Sequence, residues 1–139
     1  ANRDNALDTL ITQQPNVWYY QFDWAQEPAP WDTIYGAAHA FDLPFVFGNF
    51  GPSLFSNAIG GEANKPGRLA LSGAMMNSLA AFARSGNPNH AGLGVNWQPW
   101  PARLVFDAGK TELRIRAEGV RWGTARLCAG DAAAVARAG

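Results

Sequence analysis

Cysteine is almost absent from this chain, since Cys128 is the only one among 139 residues. A single cysteine excludes a disulfide framework, and its Ala-, Gly- and Arg-rich surroundings indicate an incidental thiol rather than a reactive one. Histidine is nearly as scarce, with only His39 and His90. Neither has a Cys, His or Asp partner at a metal-ligand spacing, so we expect no metal site and no cofactor.

The chain also lacks an excess of either charge. Eleven Lys and Arg residues balance eleven Asp and Glu residues, and the two signs are scattered. Nucleic-acid binding would require a basic stripe, which is missing. No apolar run approaches the roughly 18 residues of a membrane span. The start Ala1–Asp4 is no signal peptide, although the true N-terminus is not visible if the sequence is a fragment. The composition predicts neither a nucleic-acid partner nor a membrane span.

No serine of the chain has the surroundings of an esterase nucleophile. Such a serine lies on a strained strand-to-helix turn, usually within Gly-x-Ser-x-Gly. None of the serines here has glycine at both the −2 and the +2 position. A Gly-rich oxyanion loop and a phosphate-binding loop are missing as well. The chain therefore lacks a nucleophile and an oxyanion hole of its own.

The most informative stretch is Tyr35–Gly48, in which His39 lies among small residues and precedes a short aromatic run. Histidine is the usual general base because its pKa lies near neutrality. A histidine with a purely structural hydrogen bond is the alternative, and spacing alone leaves it open. Asp42 and Pro44 predict a short helix that Asp42 caps and Gly48 ends.

Hydrophobic periodicity predicts a coarse secondary structure. Helical spacing indicates helices over Asn5–Thr12 and from Pro66 to Gly86. Val17–Asp23 is almost continuously apolar, as parallel strands covered on both faces are. The alternation in Arg103–Asp107 and Glu112–Arg116 predicts a half-exposed hairpin. Since neither segment looks like a doubly covered strand, we expect the sheet that contains Val17–Asp23 to be built mostly by sequence outside this chain.

The second predicted helix carries one apolar stripe, which indicates packing in a core. Its members are Leu71, Met75, Leu79 and Phe82. The last part of the chain, residues 117–139, contains little to bury. We expect this Ala/Gly/Arg-rich tail to be frayed or disordered.

Several of these stretches resemble type B carboxylesterases, the family that includes the cholinesterases. His39–Gly48 (HAFDLPFVFG) resembles that family's His-Gly-aromatic-acid…Phe-Val-Phe-Gly segment. Val17–Asp23 is similar to the strand before its histidine loop, and Met75–Asn89 to its C-terminal helix with a Thr-Gly-Asn/Asp-Pro-Asn end. With two further pieces, the resemblance covers about residues 1–116. These pieces are Trp97–Pro101 and Leu104–Asp107.

Ala40 departs from the resemblance, because the family usually has glycine after the histidine. An alanine fits there if its φ angle is negative. A positive φ would cost about 1 kcal/mol or more.

The resemblance implies an α/β fold over residues 1–116. This is the C-terminal part of an α/β-hydrolase fold, with one central parallel strand, helices and a short β-hairpin. It also implies that His39 is the general base of a Ser–acid–His triad, whose chain order places the other two members upstream. Asp42 matches the family's acid after the histidine and is expected in a supporting role.

By position, three aromatic residues would line the wall of the substrate pocket near the histidine. Ordinary packing under the loop is an equally open alternative for them. They are Trp31, Tyr35 and Phe41.

The function that the resemblance implies is part of a serine carboxylic-ester hydrolase. Its substrate is a carboxylic ester, and it requires the N-terminal remainder of the hydrolase domain, so we expect the chain alone to be inactive. One alternative is a non-catalytic, cholinesterase-like module for interaction or ligand binding. Another is an aromatic-rich ligand-binding domain that folds unaided.

Overall fold

A computed structural model describes residues 2–53 and 56–119 of the chain. Cys128 and nearly all of the predicted tail lie outside the described residues. In chain order the elements are α1 (Asn2–Gln13), β1 (Tyr20–Phe22), α2 (Trp31–Ile34), α3 (Leu43–Phe47), α4 (Ser56–Ile59), α5 (Lys65–Ser85), a 3₁₀ turn (Ala91–Leu93), β2 (Arg103–Phe106) and β3 (Arg116–Glu118). Both predicted long helices are confirmed, and each begins before its predicted start. In this part of the chain no helix is long and apolar enough to cross a membrane.

The three strands form one mixed sheet in the order β1-β2-β3. β1 runs parallel to β2, with Tyr20 opposite Leu104 and Phe22 opposite Phe106. β2 runs antiparallel to β3. The strand predicted within Val17–Asp23 is therefore confirmed. The expectation that no other segment of this chain forms a second strand of this kind is wrong, because β2 lies beside β1 and is itself buried.

The half-exposed hairpin is also corrected by the structure. Leu104, Val105 and Phe106 are all buried, so both faces of β2 are covered. The alternating pattern of this segment suggested one solvent-exposed face, but β2 is the middle strand of the three and both of its faces are covered. The return strand is β3, which begins at Arg116, whereas Glu112–Arg116 was predicted. Its last two residues extend into the segment that the sequence assigned to the tail.

The core is rich in aromatic rings and centres on Phe45 of α3, which is fully buried. Its ring centroid lies 5.0 Å from that of Trp24 and 5.1 Å from that of Phe22, at the end of β1. The Ser72 hydroxyl of α5 donates a hydrogen bond to the Phe45 carbonyl at 2.8 Å. These contacts hold α3 between the carboxyl end of β1 and the middle of α5.

The apolar stripe of α5 is buried only over its first half. Leu71 and Met75 belong to the core, as predicted. Leu79 and Phe82 remain 47% and 44% exposed, so the prediction that they pack in a core is wrong for the residues described. Periodicity identified the apolar face of the helix but not which part of that face finds a neighbour.

The first turn of α5 contacts the turn that follows β2. The Gly67 backbone N–H donates to the Lys110 carbonyl at 2.9 Å. A Cβ atom on Gly67 would lie 2.0 Å from the Gly109 carbonyl oxygen, far inside van der Waals contact. Only glycine permits this approach, which joins the start of the long helix to the sheet.

We expect Gly67→Ala to lower the free energy of unfolding by about 1–3 kcal/mol, because the backbones must move apart. Gly73→Ala is the matched control on the same helix, since a Cβ there has nothing within 4 Å. It should raise stability by up to about 1 kcal/mol through helix propensity. Urea unfolding followed by tryptophan fluorescence measures both. Equal effects of the two substitutions would contradict the close contact at Gly67.

Candidate active site around His39

His39 lies on the loop that leaves the carboxyl end of β1. The chain passes from Phe22 through the short helix α2, reaches His39 and then enters α3. In open α/β sheets, ligands bind beyond the carboxyl ends of the strands. The imidazole of His39 is exposed, and none of the described residues hydrogen-bonds to it. Its ring is therefore accessible at the surface of the described residues.

Tight turns on both sides fix the backbone at His39. The Phe41 N–H donates to the Ala38 carbonyl, and the Leu43 N–H donates to the Ala40 carbonyl, both at 3.2 Å. Phe41 is only 5% exposed and belongs to the core cluster. The histidine thus projects to solvent from a segment whose next large side chain is buried.

Ala40 adopts a left-handed conformation with φ of +67°. The sequence analysis expected alanine to fit here at a negative φ, but the structure has the positive φ that costs free energy. A Cβ in this region is strained by about 1–2 kcal/mol. The predicted helix end at Gly48 is confirmed, because that glycine has φ of +62° and closes α3.

Asp42 stands at the N-cap position of α3, but its side chain makes no capping hydrogen bond. The predicted cap is therefore wrong. A capping carboxylate accepts from the second or third N–H of the helix. The second residue is Pro44, which has no N–H. The third is Phe45, whose N–H donates to the Asp42 backbone carbonyl at 3.0 Å instead.

The Asp42 carboxylate instead accepts a hydrogen bond from the Tyr20 hydroxyl at 2.8 Å. Burial raises the pKa of Tyr20 well above its usual value, and the hydrogen bond to Asp42 and its negative charge add to this. Tyr20 consequently stays a protonated donor. Asp42 makes no hydrogen bond to His39, so the carboxylate nearest in sequence is engaged elsewhere.

The predicted pocket residues form one row of aromatic rings. The Trp31 and Tyr35 rings stack, with centroids 5.5 Å apart and planes 18° apart. Tyr35 meets Phe41 edge-on, also at 5.5 Å. Tyr35 is 46% exposed, whereas Phe41 is buried. The structure brings the three together, with Tyr35 at the surface and Phe41 against the core.

His90 has a structural contact. Its Nε2 atom lies 3.2 Å from the Ala74 carbonyl of α5. This interaction joins the loop after α5 to the helix and matches the structural alternative for a histidine. Within residues 2–53 and 56–119, no group of three or more His, Cys, Asp and Glu side chains is placed to hold a metal ion.

Sequence reasoning missed Glu27, in the loop between β1 and α2. It is 4% exposed, and neither carboxylate oxygen has a hydrogen-bond partner among the described residues. Burial raises its pKa to about 7, and the charge of Asp32 adds to this shift. A glutamate in a proline-broken loop normally predicts an exposed residue, so the sequence carried no signal for this burial.

Glu27 should make stability fall as pH rises. Its pKa is about 7 in the fold against 4.5 when unperturbed, so the folded state holds a proton that the unfolded state has released. The free energy of unfolding should drop between these two values and level off above them, by roughly 3 kcal/mol in total. Glu27→Gln should remove most of this slope in urea titrations from pH 4 to 8. Glu62→Gln, at an exposed site, is the control and should leave this pH dependence unchanged.

Ala40→Gly should raise the free energy of unfolding by about 0.5–1 kcal/mol. Glycine relieves the backbone strain of the folded state, and this gain should exceed the free energy lost through the greater conformational entropy of the unfolded chain. Gly36→Ala is the mirror control, because Gly36 has φ of +53° and open space around a Cβ. It should destabilise by about 1 kcal/mol through backbone strain alone. A destabilised Ala40→Gly variant in thermal or urea unfolding would show that the left-handed turn is absent.

This chain is similar to known proteins in both sequence and fold. A family model described as the carboxylesterase family matches residues 3–121. Para-nitrobenzyl esterase of Bacillus subtilis strain 168 is 36% identical over 83 residues, which are 58% of this chain and 15% of that protein.

Two solved structures extend the comparison. The carboxylesterase EST55 of Geobacillus stearothermophilus aligns with a TM-score of 0.55 and 30% identity, over 80% of this chain and 21% of its own. EstA of Aspergillus niger aligns with a TM-score of 0.62 and 20% identity, over 91% of this chain and 24% of its own, which supports the fold alone. The chain thus spans a quarter or less of each relative. It belongs to the carboxylesterase family and carries a C-terminal part of the α/β-hydrolase fold.

Proposed function

We propose that this chain is part of a serine carboxylic-ester hydrolase in which His39 is the general base. The observation that carries the proposal is the exposed imidazole beyond the carboxyl end of β1. Its backbone is held by turns, and no described residue hydrogen-bonds to its ring. Family membership supports the class of reaction, and the exposed imidazole supports His39 as its proton acceptor.

In this mechanism His39 takes the proton of a serine hydroxyl as the serine oxygen attacks the ester carbonyl carbon. It then gives that proton to the departing alcohol oxygen, and an acyl-serine remains. Water then attacks the acyl carbon while His39 takes a proton from it. The bond between that carbon and the serine oxygen breaks, the carboxylic acid leaves, and His39 returns the proton to the serine oxygen. Oxyanion-hole donors, each worth about 3 kcal/mol, stabilise the tetrahedral intermediates. Serine, orienting acid and oxyanion donors come from the remainder of the domain.

Asp42 is assigned a supporting role in this scheme rather than that of the triad acid. Its carboxylate is occupied by Tyr20, and it makes no hydrogen bond to His39. The Trp31 and Tyr35 stack is the best candidate for pocket wall, since Tyr35 presents an exposed ring close to the histidine in sequence. Phe41 supports that wall from the core side.

The free edge of β1 supports the need for the N-terminal remainder. Tyr19 and Asp23 pair with β2: the Leu104 N–H donates to the Tyr19 carbonyl at 3.1 Å, and the Asp23 N–H donates to the Phe106 carbonyl at 2.9 Å. In a parallel strand the intervening residues direct theirs to the opposite edge, where the described residues place no strand. The backbone N–H and C=O groups of Tyr20 and Phe22 can therefore pair with another strand. We propose that the remainder of the hydrolase domain supplies this strand.

An apolar cavity that Tyr20 of β1 helps to line also supports this proposal. It measures about 380 Å³ and lies between α1, β1 and α5, with Leu79 and Phe82 on its wall. Exposed apolar surface of this kind marks an interaction site. The cavity is also the observation that favours the alternative of a ligand-binding module. Binding of a hydrophobic dye that persists in a complete domain would favour that alternative.

We expect the chain alone not to hydrolyse p-nitrophenyl acetate or butyrate. The informative protein is a chimera, defined as the Bacillus subtilis para-nitrobenzyl esterase in which this chain replaces the segment that it matches. We expect the chimera to hydrolyse these esters and His39→Ala to lower its kcat by about 10⁴-fold or more.

His90→Ala is the matched control in the chimera, because the His90 imidazole lies 3.2 Å from a helix carbonyl. It should change stability but not kcat. A His39→Ala chimera that keeps its activity would overturn the assignment of the base. Turnover by the chain alone that His39→Ala abolishes would reveal a nucleophile within these residues.

A further inference from the structure

One hydrogen bond connects the edge strand β1 to the histidine loop. The Tyr20 hydroxyl donates to Oδ2 of Asp42 at 2.8 Å. Asp42 follows His39 by three residues and begins the turn into α3. The bond therefore joins the sheet to the backbone that directly follows the proposed base.

Without Tyr20, the half-buried Asp42 carboxylate would turn to water or to another donor. The start of α3 offers it no N–H, because Pro44 has none and the Phe45 N–H is bonded to a backbone carbonyl. The nearest donor in sequence would be the imidazole of His39. A carboxylate on that ring would compete with the orienting acid of the triad, which must hold the histidine in one tautomer and orientation.

Tyr20 is suited to hold this carboxylate permanently. Its ring packs edge-on against Phe106 of β2, with centroids 5.7 Å apart, so the sheet fixes the hydroxyl in place. A hydroxyl that donates to an ionised carboxylate makes a stronger bond than one between neutral groups. Because the phenol also stays protonated, the donor remains available across the pH range in which esterases work.

We propose that Tyr20 is a positioning residue for the ester-hydrolysis reaction: by holding Asp42, it leaves the imidazole of His39 to the triad acid. The proposal rests on the function proposed for His39. It concerns a residue that touches neither the substrate nor the base, and that acts through Asp42 alone.

The test uses the chimera and compares Tyr20→Phe, Asp42→Asn and the double variant. Active sites are counted with a fluorophosphonate so that kcat refers to folded enzyme only. Tyr20→Phe should lower kcat about tenfold with KM unchanged, as expected for the loss of a group that orients a catalytic side chain. Asp42→Asn completes the cycle: its amide oxygen can still accept from Tyr20 but carries no charge, and its kcat is the reference for the double variant.

The double variant separates positioning from structure. If the released carboxylate is the cause of the loss, removing its charge restores most of kcat, and the two substitutions are strongly coupled. A purely structural role predicts a double variant at least as slow as Tyr20→Phe, which would overturn the proposal. Tyr19→Phe, directly before this strand and against Trp100, is the control for loss of a phenol hydroxyl and should keep kcat.

The proposal and its premise fail in different ways. If His39→Ala leaves the chimera active, the function proposed for His39 is wrong, whatever Tyr20 does. If His39→Ala abolishes activity and Tyr20→Phe retains the parent kcat, only the positioning role of Tyr20 is wrong.

Discussion

The position of His39 depends on the burial of Phe45. This ring is fully buried and contacts Phe22, Trp24 and Phe50, with centroids 5.0 to 5.2 Å away. Burial of such a side chain is worth about 2–3 kcal/mol, and each aromatic pair adds about 0.5–1.5 kcal/mol. Because α3 follows the histidine loop directly, fixing Phe45 fixes the end of that loop. His39 makes no hydrogen bond of its own in the described residues, so hydrophobic packing of its neighbours sets its place.

The same packing explains why a strained residue persists beside the histidine. Ala40 lies in the left-handed region, at a cost of about 1–2 kcal/mol. The next residue, Phe41, is buried in the core, and Phe45 follows one helical turn later. Their combined burial exceeds the strain, so the turn is stable although its sequence is not ideal. Strain held by surrounding structure is common at functional sites, and here it adjoins the proposed base.

Local chemistry predicted the elements, and tertiary context decided their surroundings. The strand at β1, the long helix and the left-handed end at Gly48 follow from patterns that adjacent residues carry. The missing cap at Asp42 was also predictable in principle, since Pro44 removes the N–H that a cap requires. The burial of Glu27 was not, because it depends on how a proline-broken loop folds back. Val105 is similar: alternation suggests a wet face for it, but its covered position in the middle of the sheet buries it.

The errors on α5 point to the surroundings of the chain rather than to its own folding. Leu71 and Met75 pack as the stripe predicts, whereas Leu79 and Phe82, on the same stripe, remain about half exposed. A helix does not change its periodicity midway, so the difference lies in what covers it. Leu79 and Phe82 lie on the wall of the apolar cavity. The chain aligns with only 15% of the para-nitrobenzyl esterase and 21% of EST55. The remainder of the domain, which we propose that the chain requires, would cover this half of the stripe if it packs against that wall.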